Sequence, residues 1–274
     1  TGWERVDDIC KGGLGSGELG VVIAPTGAGK SMVLVHLGAQ AVKAGLNVIH
    51  YTLELCHTTI GQRYDSCLTG VQLQDLFSLK EQIYEKVKDI DGNVIIKEYP
   101  TKSASTNTIR AHLDKLKQQG VPIDMIIVDY GDLLKPVSAP RGSEKRHDLE
   151  SIYEELRAIA QIFECPVWTA SQTNRSGLNA ELITMESISE AFSKCFVADF
   201  IFSLSRTIAD KKNNTGRFFV AKNRNGKDGI PFPIRMDTSN ISLEVLESEL
   251  EDVEKPDSKR QADKINKIYK EFKN

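Results

Sequence analysis

A glycine-rich segment that ends in Lys30 and Ser31 carries the residue types best suited to chemistry. It follows the apolar run Leu19–Ile23 and precedes a helical pattern, so a loop between a buried strand and a helix is predicted. Glycines let backbone N–H groups face phosphate oxygens, and a helix N-terminus adds partial positive charge. The lysine would reach the β- and γ-phosphates, and the serine hydroxyl would bind Mg²⁺. We therefore predict a Walker A loop for a nucleoside triphosphate, formed by Ala24, Pro25, Thr26, Gly27, Ala28, Gly29, Lys30, Ser31 and Met32.

Three polar side chains follow predicted strands and are suited to complete this site. Asp129 ends an apolar run, where a Walker B aspartate orients Mg²⁺, so Ser31 and Asp129 are the predicted metal residues. Glu54 ends another run, and a carboxylate there can polarise the water that attacks the γ-phosphate. Gln172 follows a further strand and could sense the γ-phosphate. Each could instead be a solvated strand-end group or part of a turn, and nearby Asp132 is expected to be structural.

Lys222 and Arg224 lie beside a turn-rich segment near the end of the chain. Within one chain they could form a solvated strand edge that discourages sheet pairing. Between chains they could act as arginine-finger groups on a neighbour's γ-phosphate. Their spacing alone leaves both interpretations open.

The elements that must position these residues alternate along the chain. Strands are predicted at Gly20–Ala24, Asn47–Leu53, Val94–Glu98, Met125–Asp129, Val167–Ser171 and Phe200–Leu204, and helices at Lys30–Lys43, Thr58–Leu68, Leu79–Lys88, Thr106–Gln119, Asp148–Phe163 and Ser187–Lys194. This alternation predicts an α/β fold with a mostly parallel sheet covered by helices on both faces. Phe218–Lys222 and Phe232–Met236 predict a C-terminal antiparallel hairpin, and Ile241–Leu246 could be one more edge strand.

Composition sets the remaining limits. The chain has 274 residues, with 40% hydrophobic and 27% charged residues, which are globular values. A net charge of −3 argues against a simple electrostatic DNA binder, although an oligomer could still form a local basic pore. Five cysteines without a CxxC pair indicate reduced thiols and a cytoplasmic protein, and no apolar run approaches the ~18 residues of a membrane helix. We predict one domain at 1–247 and a charged tail at 248–274, whose Ile265, Ile268, Tyr269 and Phe272 suit a short amphipathic helix.

Five sequence blocks, in this order, resemble the RecA-like motor domain of DnaB-type hexameric replicative helicases, including phage versions. They are TGWERVDDICKGGLGSGELGVVIAPTGAGKS, YTLEL with Glu54, IIVDYGDLL with Asp129, SQTNR with Gln172 and Arg175, and AKNRNGKDG with Lys222 and Arg224. The resemblance spans Thr1 to about Leu246, and alanine at position 24 is usual in that family. It implies a RecA-like P-loop NTPase that uses ATP and Mg²⁺. It also implies catalytic roles for Lys30, Glu54 and Gln172, and trans-acting roles for Lys222 and Arg224.

The resemblance also implies partners. That family forms hexamers that thread single-stranded DNA through a channel, so we expect a homo-hexamer with DNA-contacting loops. The candidate DNA-binding residues are Arg141, Lys145, Arg146, Glu190 and Lys194, and each could instead lie on a polar surface loop. That family's helical N-terminal domain meets primase. We expect this sequence to lack that domain, and we expect primase and other replication proteins as partners through it. We expect no membrane contact, and a site of action in the cytoplasm of a bacterium or a phage-infected host.

Three other functions share parts of this pattern. A RecA or RadA-type recombinase shares the fold and the Walker motifs, but it gives no reason for SQTNR followed by AKNRNG. A KaiC-like regulatory ATPase would hydrolyse ATP without moving DNA. A scaffold that holds ATP as a structural ligand would not need Glu54.

Overall fold

A central β-sheet organises the chain in the computed structural model, which describes residues 1–137, 145–173, 182–183 and 195–246. Its strands are β1 (Leu19–Ala24), β2 (Asn47–Thr52), β3 (Asn93–Glu98), β4 (Met125–Asp129), β5 (Val167–Gln172), β6 (Phe200–Ser205), β7 (Thr215–Asn223), β8 (Ile230–Asp237) and β9 (Ser242–Val245). Within the described ranges, these nine strands have the order β3-β2-β4-β5-β1-β6-β7-β8-β9. Strands β1 to β6 are parallel to one another, whereas β7, β8 and β9 each pair antiparallel with the preceding strand.

Helices connect and cover the strands. They are α1 (Glu4–Ile9), α2 (Lys30–Lys43), α3 (His57–Thr69), α4 (Lys80–Val87), α5 (Thr106–Gln118), α6 (Lys145–Phe163) and α7 (Ile208–Asn213). Short 3₁₀ turns occur at Leu73–Asp75 and Gly131–Leu133. No helix in the described part of the chain combines the length and apolar character needed to cross a membrane.

The apolar core lies on both faces of the sheet, because side chains alternate between faces along each strand. Val22 of β1 packs in a cluster with Leu34 and Leu37 of α2. Val21 belongs to the opposite cluster, with Leu113 of α5 and other residues of α5 and α6. Every residue of β1 is buried, as expected for a central parallel strand. The predicted sheet covered on both faces, with a C-terminal antiparallel hairpin, is therefore confirmed.

Register places the ends of the parallel strands side by side. Thr52 pairs with Asp129, and Ala24 pairs with Gln172. We call this side of the sheet, where β1, β2, β4 and β5 end, the carboxyl edge. The opposite side, where β1 begins at Leu19, is the amino edge.

Several predicted boundaries differ from the structure by one to three residues, as at β7, which begins at Thr215 and not at Phe218. The start of α6 is the difference that changes a site assignment. Helix α6 begins at Lys145 and not at Asp148, so Lys145 and Arg146 belong to a helix and not to a loop. The added turn is supported on its surface, because the Arg146 side chain lies 3.1 Å from Glu150 in an i,i+4 ion pair. The predicted helix Ser187–Lys194 and the predicted tail lie outside the described residues.

Candidate functional site

The phosphate loop has the backbone that its glycines predict. Strand β1 ends at Ala24 and helix α2 begins at Lys30. Gly27 and Gly29 have φ angles of 71° and 113°, a region that strains any residue with a β-carbon. Gly29 is also the N-cap of α2, so the loop leads directly into the unpaired N–H groups of the helix. The segment therefore forms a cradle suited to phosphate oxygens.

The Lys30 ammonium lies among acidic side chains at the carboxyl edge. Its side chain is buried, and Nζ lies 5.2 Å from the centre of the Tyr130 ring. Burial lowers the pKa of Lys30, while the charges of Glu54, Asp129 and Asp132 act to raise it. The structure therefore brings the predicted lysine, general base and metal residue into one electrostatic cluster.

Asp129 is a fully buried carboxyl group at the end of β4. Neither of its oxygens has a hydrogen-bond partner of good geometry among the described residues, although the Ser31 hydroxyl approaches closely enough to lower the pKa. Burial outweighs that effect and raises the pKa to about 6. A buried carboxylate without partners is unfavourable unless a cation compensates it. Asp129 and Ser31 thus supply an oxygen pair suited to a divalent cation.

Glu54 lies in the bend that follows β2, with its side chain exposed to solvent. Its charge acts on both Lys30 and Asp129. A carboxylate that is open to water and close to a phosphate site can accept a proton from an attacking water. Glu54 is therefore an exposed carboxylate whose charge acts on this site, and its role as general base stays a prediction.

Arg63 is a second cation at this edge, and sequence reasoning missed it. It lies on α3 between the buried Ile60 and Tyr64. Burial lowers its pKa, while the charges of Asp129 and Glu54 act to raise it. The only sequence signal is that α3 begins shortly after Glu54, so an arginine on its first two turns can face back toward the site.

Gln172 links the phosphate loop to the strand ends. Its Nε2 donates a hydrogen bond to the Thr26 hydroxyl, and its Oε1 accepts one from the Tyr130 hydroxyl at 3.3 Å. Asp132 lies next to Gln172 and accepts a hydrogen bond from the Tyr153 hydroxyl at 2.7 Å. Gln172 is thus in direct contact with the loop whose nucleotide it is predicted to sense, while Asp132 holds neighbouring side chains.

Lys222 and Arg224 lie at the amino edge, away from the phosphate loop. Strand β7 runs antiparallel to β6, so its end lies beside the start of β6, where the Arg224 N–H donates to the Asp199 carbonyl at 3.0 Å. Lys222 Nζ donates to the Phe196 carbonyl and lies 4.7 Å from the centre of that ring. The structure does not bring these two cations to Lys30 of the same chain.

Few of the predicted DNA-binding residues can be placed. Arg141, Glu190 and Lys194 lie outside the described residues, as does Arg175 of the SQTNR block. Lys145 begins α6. Arg146 is exposed and paired with Glu150, as described above.

Cys56 carries a reactive thiol near the carboxyl edge. It lies two residues after Glu54. Hydrogen bonds with the Thr58 and Thr59 hydroxyls, at 3.1 Å and 3.0 Å, lower the pKa of its exposed thiol to about 7. Because the thiolate is the nucleophile, the rate of alkylation by iodoacetamide is expected to rise with a midpoint near pH 7. Mass spectrometry of the labelled peptide measures this rate.

Two buried thiols provide the internal comparison for this prediction. Burial raises the pKa of Cys10 and of Cys165 to about 12, so both should label slowly at neutral pH. Cys56→Ser should abolish the fast phase of iodoacetamide labelling, which is the phase assigned to Cys56. A fast phase that survives this substitution, or a midpoint near pH 9, would contradict the assignment.

Comparison with known proteins identifies the relatives of this chain. The family model of the DnaB-like helicase C terminal domain matches residues 1–234. A DnaB-like replicative helicase of Enterobacteria phage T4 is 32% identical over 213 residues, which cover 74% of this chain and 45% of that protein. The replicative DNA helicase DnaB of Mycoplasma genitalium is 26% identical over 261 residues, which cover 88% of this chain and 55% of that protein. The chain thus spans about half the length of these curated relatives.

Two solved structures share the fold at low sequence identity. The first, described as an ATPase domain, aligns with a TM-score of 0.75 and 17% identity, covering 90% of each chain. A DnaB-like replicative helicase, described together with its interactions with primase, aligns with a TM-score of 0.76 and 17% identity, covering 90% of this chain and 61% of that one. These likenesses establish the RecA-like ATPase fold. With the family match over most of its length, the chain belongs to the family of DnaB-like helicase C-terminal domains.

Proposed function

We propose that this chain is the ATP-hydrolysing motor domain of a hexameric replicative helicase that translocates on single-stranded DNA. In this proposal, ATP binds to the phosphate loop of one copy, and Lys222 and Arg224 of the next copy complete the site. Membership of the DnaB-like family supports the proposal.

The separation of the two groups of residues within one chain carries the proposal. Lys30 opens α2 at the carboxyl edge, whereas Arg224 is tied to Asp199 at the amino edge. The six residues of β1 lie between these edges and span about 20 Å at ~3.3 Å per residue. An arginine side chain is much shorter than this distance. If Arg224 acts on a γ-phosphate, that phosphate belongs to another copy, and repeated head-to-tail contacts of this kind can close into a ring.

Mg²⁺ is part of the proposal. The buried oxygens of Asp129 and the nearby Ser31 hydroxyl suit a hard divalent cation, and these two residues would hold it. Bound there, the ion would neutralise charge that develops on the β- and γ-phosphates. Lys30 would hold the same phosphates, Glu54 would accept a proton from the attacking water, and Gln172 would register whether the γ-phosphate is present.

DNA and protein partners follow from the proposed ring. Copies of Arg141, Lys145, Arg146, Glu190 and Lys194 would be repeated around a channel, so a chain of net charge −3 could present local positive charge to one strand. Primase is a proposed partner of the full-length protein, because a structural neighbour is described with it. We propose the cytoplasm of a bacterium or a phage-infected host as the place of action.

Strand displacement on a forked DNA substrate tests this proposal. The full-length protein with ATP and Mg²⁺ should displace the labelled strand, and Lys30→Ala should abolish both ATP turnover and displacement because the phosphate contact is lost. Homologous pairing without displacement would instead indicate a recombinase. ATP hydrolysis with neither activity would indicate a regulatory ATPase.

A further inference from the structure

A buried carboxylate at the amino edge lies under the proposed trans-acting arginine. Asp199 precedes β6, and its side chain is only 4% exposed. Its Oδ2 accepts a hydrogen bond from the Leu19 N–H at 3.0 Å. Arg157 of α6 adds two further bonds, from Nε to Oδ2 at 3.1 Å and from Nη2 to Oδ1 at 3.0 Å. The bidentate pairing with Arg157 and the bond from Leu19 together give one carboxylate three well-formed hydrogen bonds.

Arg224 is held much more loosely by the same carboxylate. Its Nη1 lies 3.3 Å from Oδ1 of Asp199, and its Nη2 reaches the Val197 carbonyl only at 3.5 Å. Its side chain is 44% exposed, against 29% for Arg157. The main chain is nevertheless fixed, because the Arg224 N–H donates to the Asp199 carbonyl at 3.0 Å. The guanidinium can therefore leave while its attachment point stays in place.

Arg157 determines what that departure costs. A buried ion that loses its only counterion is strongly unfavourable, whereas one that keeps a hydrogen-bonded partner is not. With Arg157 present, Asp199 keeps its charge partner when Arg224 turns away. Without Arg157, Arg224 would become the counterion that Asp199 cannot lose. Lys222, whose pKa is lowered by burial and by the Arg224 charge, is bonded to the Phe196 carbonyl and does not replace it.

We propose that Arg157 is a positioning residue for Arg224: by saturating Asp199, it leaves the Arg224 guanidinium free to exchange this carboxylate for a neighbour's γ-phosphate. The inference rests on the proposed function, since it requires Arg224 to act on another copy. Arg157 itself does not touch nucleotide in this scheme. Its effect is confined to the copy that donates the arginine.

The first test is the Arg157→Gln variant of the full-length protein, assembled as a ring. We expect kcat for ATP to fall about 10- to 100-fold, because a hydrogen bond to a charged group shifts an equilibrium by about that factor. The Kd for ATP of the monomer should stay native, since the phosphate loop of the same chain lies at the other edge. Arg157→Lys, which keeps the cation, should recover most of the rate. Arg110→Gln, an exposed arginine on α5, is the matched control and should have no effect.

Mixing inactive proteins then identifies which half of the site is damaged. Glu54→Gln lacks the base, and Arg224→Ala lacks the trans-acting cation, so rings mixed from these two should regain activity at interfaces that join their intact halves. Arg157→Gln should behave like Arg224→Ala. It should regain activity when mixed with Glu54→Gln and none when mixed with Arg224→Ala. A general folding defect would show neither this selectivity nor an unchanged Kd.

The outcomes separate the two proposals. If the reference mixture of Glu54→Gln and Arg224→Ala stays inactive in rings proven to be mixed, the trans role of Arg224 is wrong and this inference falls with it. If the reference mixture recovers but Arg157→Gln has native kcat, complements Arg224→Ala, or complements neither variant, only this inference is overturned. Should Arg157→Gln unfold, the double variant Asp199→Asn with Arg157→Gln removes the buried charge and should turn over ATP at close to the native rate. A low rate in a folded double variant would also overturn the inference.

Discussion

Arg224→Ala is expected to keep native ATP affinity as a monomer and to lose about 10³- to 10⁵-fold in turnover within the assembled ring. The γ-phosphoryl group carries negative charge during transfer, and a cation inserted from the neighbouring copy stabilises that charge. Affinity should persist because Arg224 lies at the amino edge, tied to Asp199 and remote from the phosphate loop of its own chain. Steady-state ATPase rates of rings, with nucleotide binding measured on the monomeric protein, test this expectation.

A second exposed arginine supplies the control for this variant. Arg235 lies on β8, with its side chain 68% exposed and 3.8 Å from Glu244. Surface pairs of this kind contribute little, so Arg235→Ala should keep both affinity and turnover. Native turnover by Arg224→Ala in verified rings would show that this side chain does not stabilise the transferring phosphoryl group.

Glu54→Gln is expected to keep nucleotide binding and to lose about 10²- to 10⁴-fold in hydrolysis, which is the usual contribution of a positioned general base. The amide has nearly the same shape as the carboxylate, but it cannot accept the proton of the attacking water. The cradle formed by Gly27, Gly29 and Lys30 is unchanged, so binding should persist. Single-turnover measurements separate the chemical step from product release.

Glu98 is the matched control for Glu54, because it is an exposed glutamate at the end of β3, the strand that pairs with β2. Its Oε2 accepts a hydrogen bond from the His57 N–H at 2.9 Å, and glutamine keeps an acceptor in that place. Glu98→Gln should therefore hydrolyse ATP at close to the native rate. Equal rates of ATP hydrolysis by Glu54→Gln and the native protein would show that Glu54 is not the general base.

Local patterns predicted most of what surrounds the phosphate loop. Helix α2 and strand β4 have the predicted bounds, because their apolar periods and glycine signals depend only on nearby residues. The charges of Lys30, Asp129 and Glu54 act on one another as expected, since parallel strands end at one edge. Their chemical roles stay predictions. The early start of α6 was missed because its first turn shows no apolar period. That turn is supported instead by an ion pair between Arg146 and Glu150.

Contacts between remote segments could not be predicted in this way. Arg157 and Asp199 are 42 residues apart, and the helix period of α6 gives no sign of a buried acid below it. The charge of Arg63 interacts with Asp129 and Glu54 because α3 packs against α2 and β3, which is a property of tertiary packing. The strand order, with β1 between β5 and β6, is equally absent from any local window.

The placement of the phosphate loop and Arg224 at opposite edges of the sheet has a consequence for ATP consumption. If Arg224 completes only a neighbour's site, a monomer can bind ATP but hydrolyses it very slowly. Hydrolysis per molecule would then rise with protein concentration until rings form, and dilution would silence it reversibly. ATP hydrolysis would be coupled to assembly by the length of one strand, β1, without any inhibitor or covalent modification.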